Sequence, residues 1–345
     1  MVAFPLTFMR LRFECQAETP LRLGGWRAGN NLRGALVDVM RRATCPYSVP
    51  ALAGMSVPPD PEHVATCPVC WLVAANEKPG MERRGYVLTP PLEIPELLKP
   101  GERFVFHLTL LGEAQRFLPY FVLAVPEMGR DGVGVGRGHF TLRRITADLL
   151  NGKEEEVLRE GETILRPPKV SLSHTEIQNY AERMMQGWQA TDIMEMRITF
   201  HTPLRLIWNQ RLIKTPDFAI FFARLLERVD DLAKQFSGAN QRPYEERTYL
   251  RDLSLQVRLI ENDTRWIEVS SGSSRTGRPT WISGLVGFAR YAAPTKIWRE
   301  LLPWLIWGEI VQVGKDTVKG NGVFRLSLPG VKKGGGGGYY STSHR

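Results

Sequence analysis

The sequence predicts an α+β protein of two tandem ferredoxin-like (RRM-like) domains, with a small cysteine-containing insertion in the first. Three observations predict it: the chain repeats itself, both copies open on an alternating strand, and the elements that follow keep one order. Thr19-Pro20-Leu21-Arg22-Leu23 returns as Thr202-Pro203-Leu204-Arg205-Leu206. Leu118-Pro119-Tyr120 returns as Leu302-Pro303-Trp304, and Gly136-Arg137-Gly138-His139-Phe140-Thr141-Leu142 as Gly320-Asn321-Gly322-Val323-Phe324-Arg325-Leu326. All three pairs keep an offset of 183 or 184 residues, and matches in order at one offset mark a duplicated unit. A chain of 345 residues is also long for one core.

From Arg10 to Cys15 polar and apolar residues alternate, with Leu11, Phe13 and Cys15 on one face; Met194 to His201 repeats the pattern with Met196, Ile198 and Phe200 inward. Cys15 is therefore a core residue. A helix follows each strand. The first begins near Asn30, with Leu32, Ala35, Leu36 and Val39 as its buried stripe and Arg33, Arg41 and Arg42 left to solvent. The second starts at Thr215-Pro216, a cap with proline at the first helical position. It carries Phe218, Phe221, Phe222, Leu225, Val229, Leu232 and Phe236 at helical spacing.

Further along the first half, Arg103 to Leu111 reads as a strand, Phe117 to Val125 as a short apolar helix and His139 to Ile145 as a closing strand. The second half gives strands near Leu253 to Ile260, Trp266 to Ser270 and Trp281 to Tyr291, a helix from Pro303 toward Trp307, and a last strand from Val323 to Leu328. Strand, helix, two strands, helix, strand is the ferredoxin-like order. The chain divides into an N-terminal domain over 1–165 with its insertion at about 45–85, a connecting segment over 166–193, a C-terminal domain over 194–330 and a flexible glycine tail over 331–345.

Lys plus Arg number 45 against 36 Asp plus Glu, a net charge of +9. That balance either keeps the protein soluble or suits a polyanion such as nucleic acid, and the clustering of arginines beside the motifs favours the polyanion. The N-terminus lacks a charged region before an apolar core, so no signal peptide is expected. The apolar run Leu301 to Trp307 is far below the ~20 residues of a membrane helix, so no membrane partner is expected. Four cysteines with one CxxC pair and no secretion signal point to a reducing cytoplasm, and to metal rather than disulfides.

Val313 to Gly322 (VGKDTVKGNG) precedes the last strand. Its glycines permit positive φ and let amides approach a phosphate, while Lys315 and Lys319 supply charge; the other reading is a tight helix-to-strand turn. Gly314, Gly320, Asn321 and Gly322 join those lysines as candidate RNA-binding residues. The duplicate loop, Gly132 to Gly138, carries Arg130 and Arg137, and the two loops could track one backbone. The absence of GxxxxGK[ST] excludes a nucleotide P-loop.

Cys45, His63, Cys67 and Cys70 form C-x17-H-x3-C-x2-C, the pattern of a tetrahedral structural zinc set whose fourth ligand is either His63 or another group. If His63 holds zinc its lone pair is committed; a metal-free insert of buried thiols would instead make it the leading catalytic histidine. His201 ends the polar face of a strand near Arg205. His107, His139 and His174 carry no expectation of chemistry. Arg33 and Arg27, near the positive end of the first helix, either hold a phosphate or form salt bridges. Trp281, Trp298, Trp304 and Trp307 either stack on bases or fill the core.

Gly29-Asn30-Asn31-Leu32-Arg33-Gly34-Ala35-Leu36, Thr202 to Leu206 and Val313 to Leu326 together resemble the CRISPR repeat-processing endoribonucleases of the RAMP superfamily, over about residues 10 to 328. The resemblance implies paired ferredoxin-like domains, CRISPR repeat RNA bound between them, and a role in antiviral defense. It also implies metal-independent cleavage, in which the ribose 2′-hydroxyl attacks the adjacent phosphate to leave a 2′,3′-cyclic phosphate and a 5′-hydroxyl. Many members place a histidine in or just beyond the first helix. Here Arg41-Arg42-Ala43-Thr44-Cys45 carries none and the next histidine is His63, so the acid and base are unassigned. A non-catalytic RNA-binding subunit, partnered by other CRISPR effector subunits, is the competing reading; a duplicated ferredoxin-like protein with a small-molecule ligand is another.

Overall fold

The computed structural model describes residues 4–45, 60–73, 83–150, 152–169, 171–186, 189, 192–272 and 279–328. The expected tail over 331–345 lies outside them.

The first half runs β1 (Phe8–Ala17), α1 (Ala28–Thr44), two six-residue helices α2 (Pro61–Thr66) and α3 (Pro68–Val73), β2 (Tyr86–Thr89), β3 (Arg103–Leu111), α4 (Leu118–Asp131), β4 (Phe140–Asp148) and β5 (Glu154–Leu158). Its sheet is antiparallel in the order β2-β3-β1-β4-β5. That is the ferredoxin-like order with one edge strand added. Neither β2 nor β5 is foreseen from the sequence. All four residues of β2 are buried, which erases the alternation that marks a half-buried strand. β5 is a short acidic edge, where charge blunts further pairing.

After the linking helix α5 (His174–Met184), closed by a Ser173–Glu176 capping box, the second half repeats the plan. It contains β6 (Ile193–Leu204), the small hairpin β7 (Leu206–Trp208) and β8 (Arg211–Ile213), α6 (Phe218–Ser237), α7 (Tyr244–Ser254), β9 (Arg258–Gly272), β10 (Pro279–Pro294), α8 (Thr295–Val311) and β11 (Phe324–Ser327). The sheet order β11-β6-β10-β9 is again ferredoxin-like. No helix among the described residues is long and apolar enough to cross a membrane.

Four expectations about this half need correction. The cap of α6 is Asp217, whose carboxylate accepts from Ile220 N at 2.9 Å, so Pro216 lies outside the helix. Residues 253–254 end a helix, because Leu250 packs inward on a short amphipathic stretch. The expected strands at 258–260 and 266–270 are one continuous strand paired along β10. The final helix starts at Thr295, held by Asp192 O, and runs through Pro303. In the first half the stretch equivalent to its opening turns, Gly112–Phe117, is a 3-10 helix.

Each half has its own core. Leu11, Phe13, Leu32, Leu36, Phe121 and Val125 belong to the first; Cys15 is buried there as expected. Met196, Ile198, Phe200, Phe221, Leu225 and Leu301 belong to the second, which also takes in Leu6, Phe8, Val87 and Leu111 from the first half. Phe8 meets Trp307 at 5.2 Å between ring centroids. The halves are thus joined by apolar burial, the dominant stabilising term in such a contact.

Candidate nucleic-acid interface

Each copy of the Thr-Pro-Leu-Arg-Leu motif is braced by the glycine loop of its own half, with the same bonds. Thr19 Oγ1 accepts from His139 N at 2.8 Å, and Thr202 Oγ1 accepts from Val323 N at 2.8 Å. Val135 N donates to Arg22 O, and Lys315 N to Arg205 O, both at 3.0 Å. The loops approach so closely that a Cβ on Gly134 would lie 2.0 Å from Arg22 O and one on Gly314 2.6 Å from Arg205 O. The repeated motifs are therefore two sides of one local structure, which is why they recur together.

The second loop also reaches the other half. A Cβ on Gly29, in the first turn of α1, would lie 2.2 Å from Lys319 O, and one on Gly320 would lie 2.7 Å from Pro90. Gln312, with φ of 60°, donates its side-chain amide to Leu88 O at 2.9 Å. Gly320, Asn321 and Gly322 are buried; Gly314 and Lys319 are half-buried and Lys315 is exposed. The amides of Lys315, Lys319, Gly320, Asn321 and Gly322 donate to Arg205, Asp316, Thr317, Asp316 and Pro203 oxygens within the second half. The positive charges of this loop are the ammonium of Lys315, an exposed residue, and that of Lys319, which lies 2.9 Å from Asp316.

Around this seam stand several further groups. Arg33 sits one turn beyond Gly29 on the same face of α1. It is half-buried rather than solvent-facing, and in the second turn because the helix starts at Ala28. Its Nε is buried without a hydrogen-bond partner. Arg27 and Trp26 are exposed just before the helix. Arg205 donates to Ser283 Oγ at 2.6 Å. His201, half-buried, has Nδ1 3.5 Å from Glu93 Oε1, and its own amide donates to Val323 O behind the glycine loop.

The other arginines gather elsewhere. Arg42 pairs with Asp38 and Asp131, Arg137 donates twice to Asp131 O, and Arg130 pairs with Glu127. This cluster, with Arg41 alongside, meets the C-terminal end of α1, about 20 Å from Gly29 along the helix axis at 1.5 Å per residue. Trp298, Trp304 and Trp307 are core, while Trp281 is 57% exposed on β10.

The remaining histidines have structural partners. Burial and the charges of Arg10, Arg12 and Arg325 hold His107 well below the usual imidazole range. Burial, with the charge of Arg242, lowers His174 to about 4; it stacks on Trp304 and receives Trp307 Nε1–H at 3.0 Å. His139 Nδ1 lies 2.8 Å from Arg130 O.

Cys45, His63, Cys67 and Cys70 converge, their ligand atoms all within 4.8 Å of one another. Cys45 Sγ lies 3.5 Å from both His63 Nε2 and Cys70 Sγ, and all four cysteines of the chain are free. Zinc–sulfur bonds of about 2.3 Å in a tetrahedron put sulfurs about 3.8 Å apart, so this donor set fits a metal ion. Cys45 caps the C-terminal end of α1, which sets His63 at the far end of that helix from Gly29.

Sequence reasoning missed Gln312, Pro90 and Glu93. Gln312 adjoins the glycine loop and has positive φ, but nothing in its sequence context announces a bond to a strand that was itself unseen.

Residues 198–324 match the family model for the CRISPR-associated endoribonuclease Cas6, and residues 6–170 match the N-terminal domain model AF_1859_N. No curated protein matches the chain in sequence. Among solved structures, a Cas6 product complex is 18% identical, with 93% of this chain and 99% of that chain covered and a TM-score of 0.55. Thermus thermophilus Cas6 is 15% identical, covering 93% and 99%, with a TM-score of 0.53. A partial Cas6-RT-Cas1–Cas2 complex is 12% identical, covering 94% of this chain and 46% of that one, with a TM-score of 0.59. At these identities the likeness is one of fold.

Proposed function

We propose that this protein, whose residues 198–324 match the model for the CRISPR-associated endoribonuclease Cas6, cuts precursor CRISPR RNA within its repeats without a catalytic metal. The 2′-oxygen of a ribose forms a bond to the adjacent phosphorus and the P–O5′ bond breaks. The 2′-hydroxyl proton passes to a base, an acid protonates the leaving 5′-oxygen, and the products are a 2′,3′-cyclic phosphate and a 5′-hydroxyl.

One observation carries this reading: the glycine loop of the second half closes on the N-terminal turn of α1, beside an arginine whose buried Nε has no protein partner. A helix N-terminus favours a phosphate, and a guanidinium can share the negative charge that grows on the non-bridging oxygens. Arg33 therefore takes the scissile phosphate, with Lys315 and Lys319 on the flanking backbone and Arg27 at the approach. His201 is the described histidine placed at this seam, and Glu93 beside it can orient the imidazole; we assign it proton transfer. The arginines at the other end of α1 take the RNA farther along its length. Membership of a CRISPR-based antiviral system in the cytoplasm, beside other CRISPR subunits, follows from the same reading.

The absence of a histidine on α1 favours the second reading, an RNA-binding subunit that does not cut. Cognate repeat RNA, incubated without magnesium, separates the two. A single cut ending in a cyclic phosphate is expected, with the single-turnover rate falling about 10²–10⁴-fold in His201→Ala while binding is kept. Tight binding without cutting establishes the subunit reading; cutting unchanged by His201→Ala removes that residue from the mechanism.

A further inference from the structure

We propose that Cys45, His63, Cys67 and Cys70 hold a zinc ion whose task is to strap the C-terminal end of α1, through the insertion, onto the end of α6 in the other half of the molecule. The inference rests on these residues and stands whether or not the protein cuts RNA.

Three thiolate sulfurs and one imidazole nitrogen are the soft set that selects zinc, and four protein ligands close a tetrahedron with no position left for substrate. The cysteines are buried and His63 half-buried, as a closed structural centre requires. The helices that carry the ligands cannot stand alone: α2 and α3 have six residues each, below the length at which helices persist in water. Local bonds aim their donors. Asp60 caps α2 by accepting from His63 N at 2.7 Å, and Cys67 accepts the amide of Trp71 at 2.8 Å. A single ion linking Cys45, at the end of α1, to His63, Cys67 and Cys70 supplies the tertiary fixation that these short helices lack.

What the insertion then delivers is Trp71, the residue after Cys70. Its ring lies 5.1 Å from Phe117 in the first half and 5.6 Å from Phe236 near the end of α6, with the Arg116 guanidinium 4.9 Å from its centroid. Phe236 is 3% exposed and occupies a socket cut by glycines. A Cβ on Gly85 would lie 3.1 Å from its ring, and one on Gly112 2.0 Å from its carbonyl oxygen. Beside the socket, Arg83 N donates to Gln235 Oε1 at 2.7 Å, Gln235 Nε2 donates back to Arg83 O at 2.8 Å, and Arg83 pairs with Asp231 at 2.9 Å. The end of α6 is thus gripped by the first half, with Trp71 as the part of the grip that depends on the metal. The opposite end of α1 carries Gly29 and the glycine-loop contact, so one helix is tied to the second half at both ends.

The test uses the full chain as purified. One zinc per chain is expected by elemental analysis, lost in Cys67→Ser. Hydrogen exchange read by mass spectrometry should then accelerate about tenfold in residues 230–237 and 39–44 of the zinc-free protein, with the β6–β10 pairing unaffected. Trp71→Ala, which leaves all four ligands in place, should keep its zinc yet show the faster exchange in 230–237. Failure of the purified or reconstituted protein to hold zinc would overturn the site. Zinc binding with unchanged exchange at 230–237 in both the stripped protein and Trp71→Ala would overturn the strap.

Discussion

The glycine loop before β4 and the glycine loop before β11 are copies that brace the same motif through equivalent bonds, but their surroundings differ. A Cβ on Gly136 would meet nothing within 4 Å, whereas its counterpart Gly320 is pressed between Pro90 and the Cα of Gly29. The first loop packs on the motif of its own half and is flanked by paired charges at the end of α4; the second also reaches across to the other half. Duplication supplied one turn twice, and packing against the other half made the second into part of a candidate RNA site. A motif's internal bonds therefore explain why it repeats. Only its external contacts say where it acts.

The sharpest way to break this comparison is to give both loops the same substitution. Gly136 and Gly320 both have positive φ, 83° and 80°, so alanine is strained at both, by about 1 kcal/mol or more. Gly136→Ala should lower stability by that amount and leave cleavage by the folded protein intact. Gly320→Ala adds a methyl group 2.7 Å from Pro90 Cδ, which must open the seam. The expectation is a cleavage rate at least ~100-fold down, in keeping with the cost of a 1 Å displacement near a reacting group. Equal losses of activity in the two variants would show that the seam contact is irrelevant to the chemistry.

A smaller difference is expected from the threonines. Thr202→Val removes the partner of Val323 N, a buried amide, and Thr19→Val removes the partner of His139 N, which lies in an exposed setting. An amide left unpaired in the interior costs ~1–3 kcal/mol, while one that water can reach loses ~1 kcal/mol or less. Denaturant unfolding of the two variants measures the gap. If Thr19→Val proves the more damaging, the brace of the first loop is the structural one.

The duplicated plan was legible because it is written in period-two strands, amphipathic helices and turn glycines. The candidate metal set was legible because Cys45, His63, Cys67 and Cys70 stand at metal-ligand spacing along the chain. The seam was not. It depends on β2, whose four buried residues give no alternation, and on Gln312, whose bond crosses more than two hundred residues of sequence. The two groups of arginines looked equivalent in sequence, and they separate only once Asp131 and Glu127 are seen beside one of them. His201 was noticed as the end of a strand, but Glu93 had no signal linking it there. Non-local pairing of this kind leaves no local pattern.

The two cores differ in a way that titration can read. By the repeat offset, Val125, fully buried in the first core, corresponds to Glu309 in the second. Burial pushes the Glu309 carboxyl up to about 7, against the opposing pull of the Leu326 amide bond and of Arg325 and Arg10. The folded state then keeps a proton that the unfolded chain releases near pH 4.5. Stability contributed by that proton is full below about pH 4.5 and is lost as pH rises through about 7. Asp148, raised by burial to about 6, acts in the same direction over a lower window. His107, held low, acts oppositely, because its unfolded form gains a proton below about 6.5 and so destabilises the fold on acidification. Total stability mixes all three, but the difference between wild type and Glu309→Gln isolates one. The amide oxygen can still accept from Leu326 N, which Glu309 Oε1 now does at 2.9 Å, and it does not titrate. The variant should therefore gain on wild type by up to ~1.4 kcal/mol per pH unit between about 4.5 and 7, with no further gain above. Parallel stability curves for the two proteins across that window would mean that Glu309 is as well hydrated as an ordinary carboxylate, and that the second core is no more polar than the first.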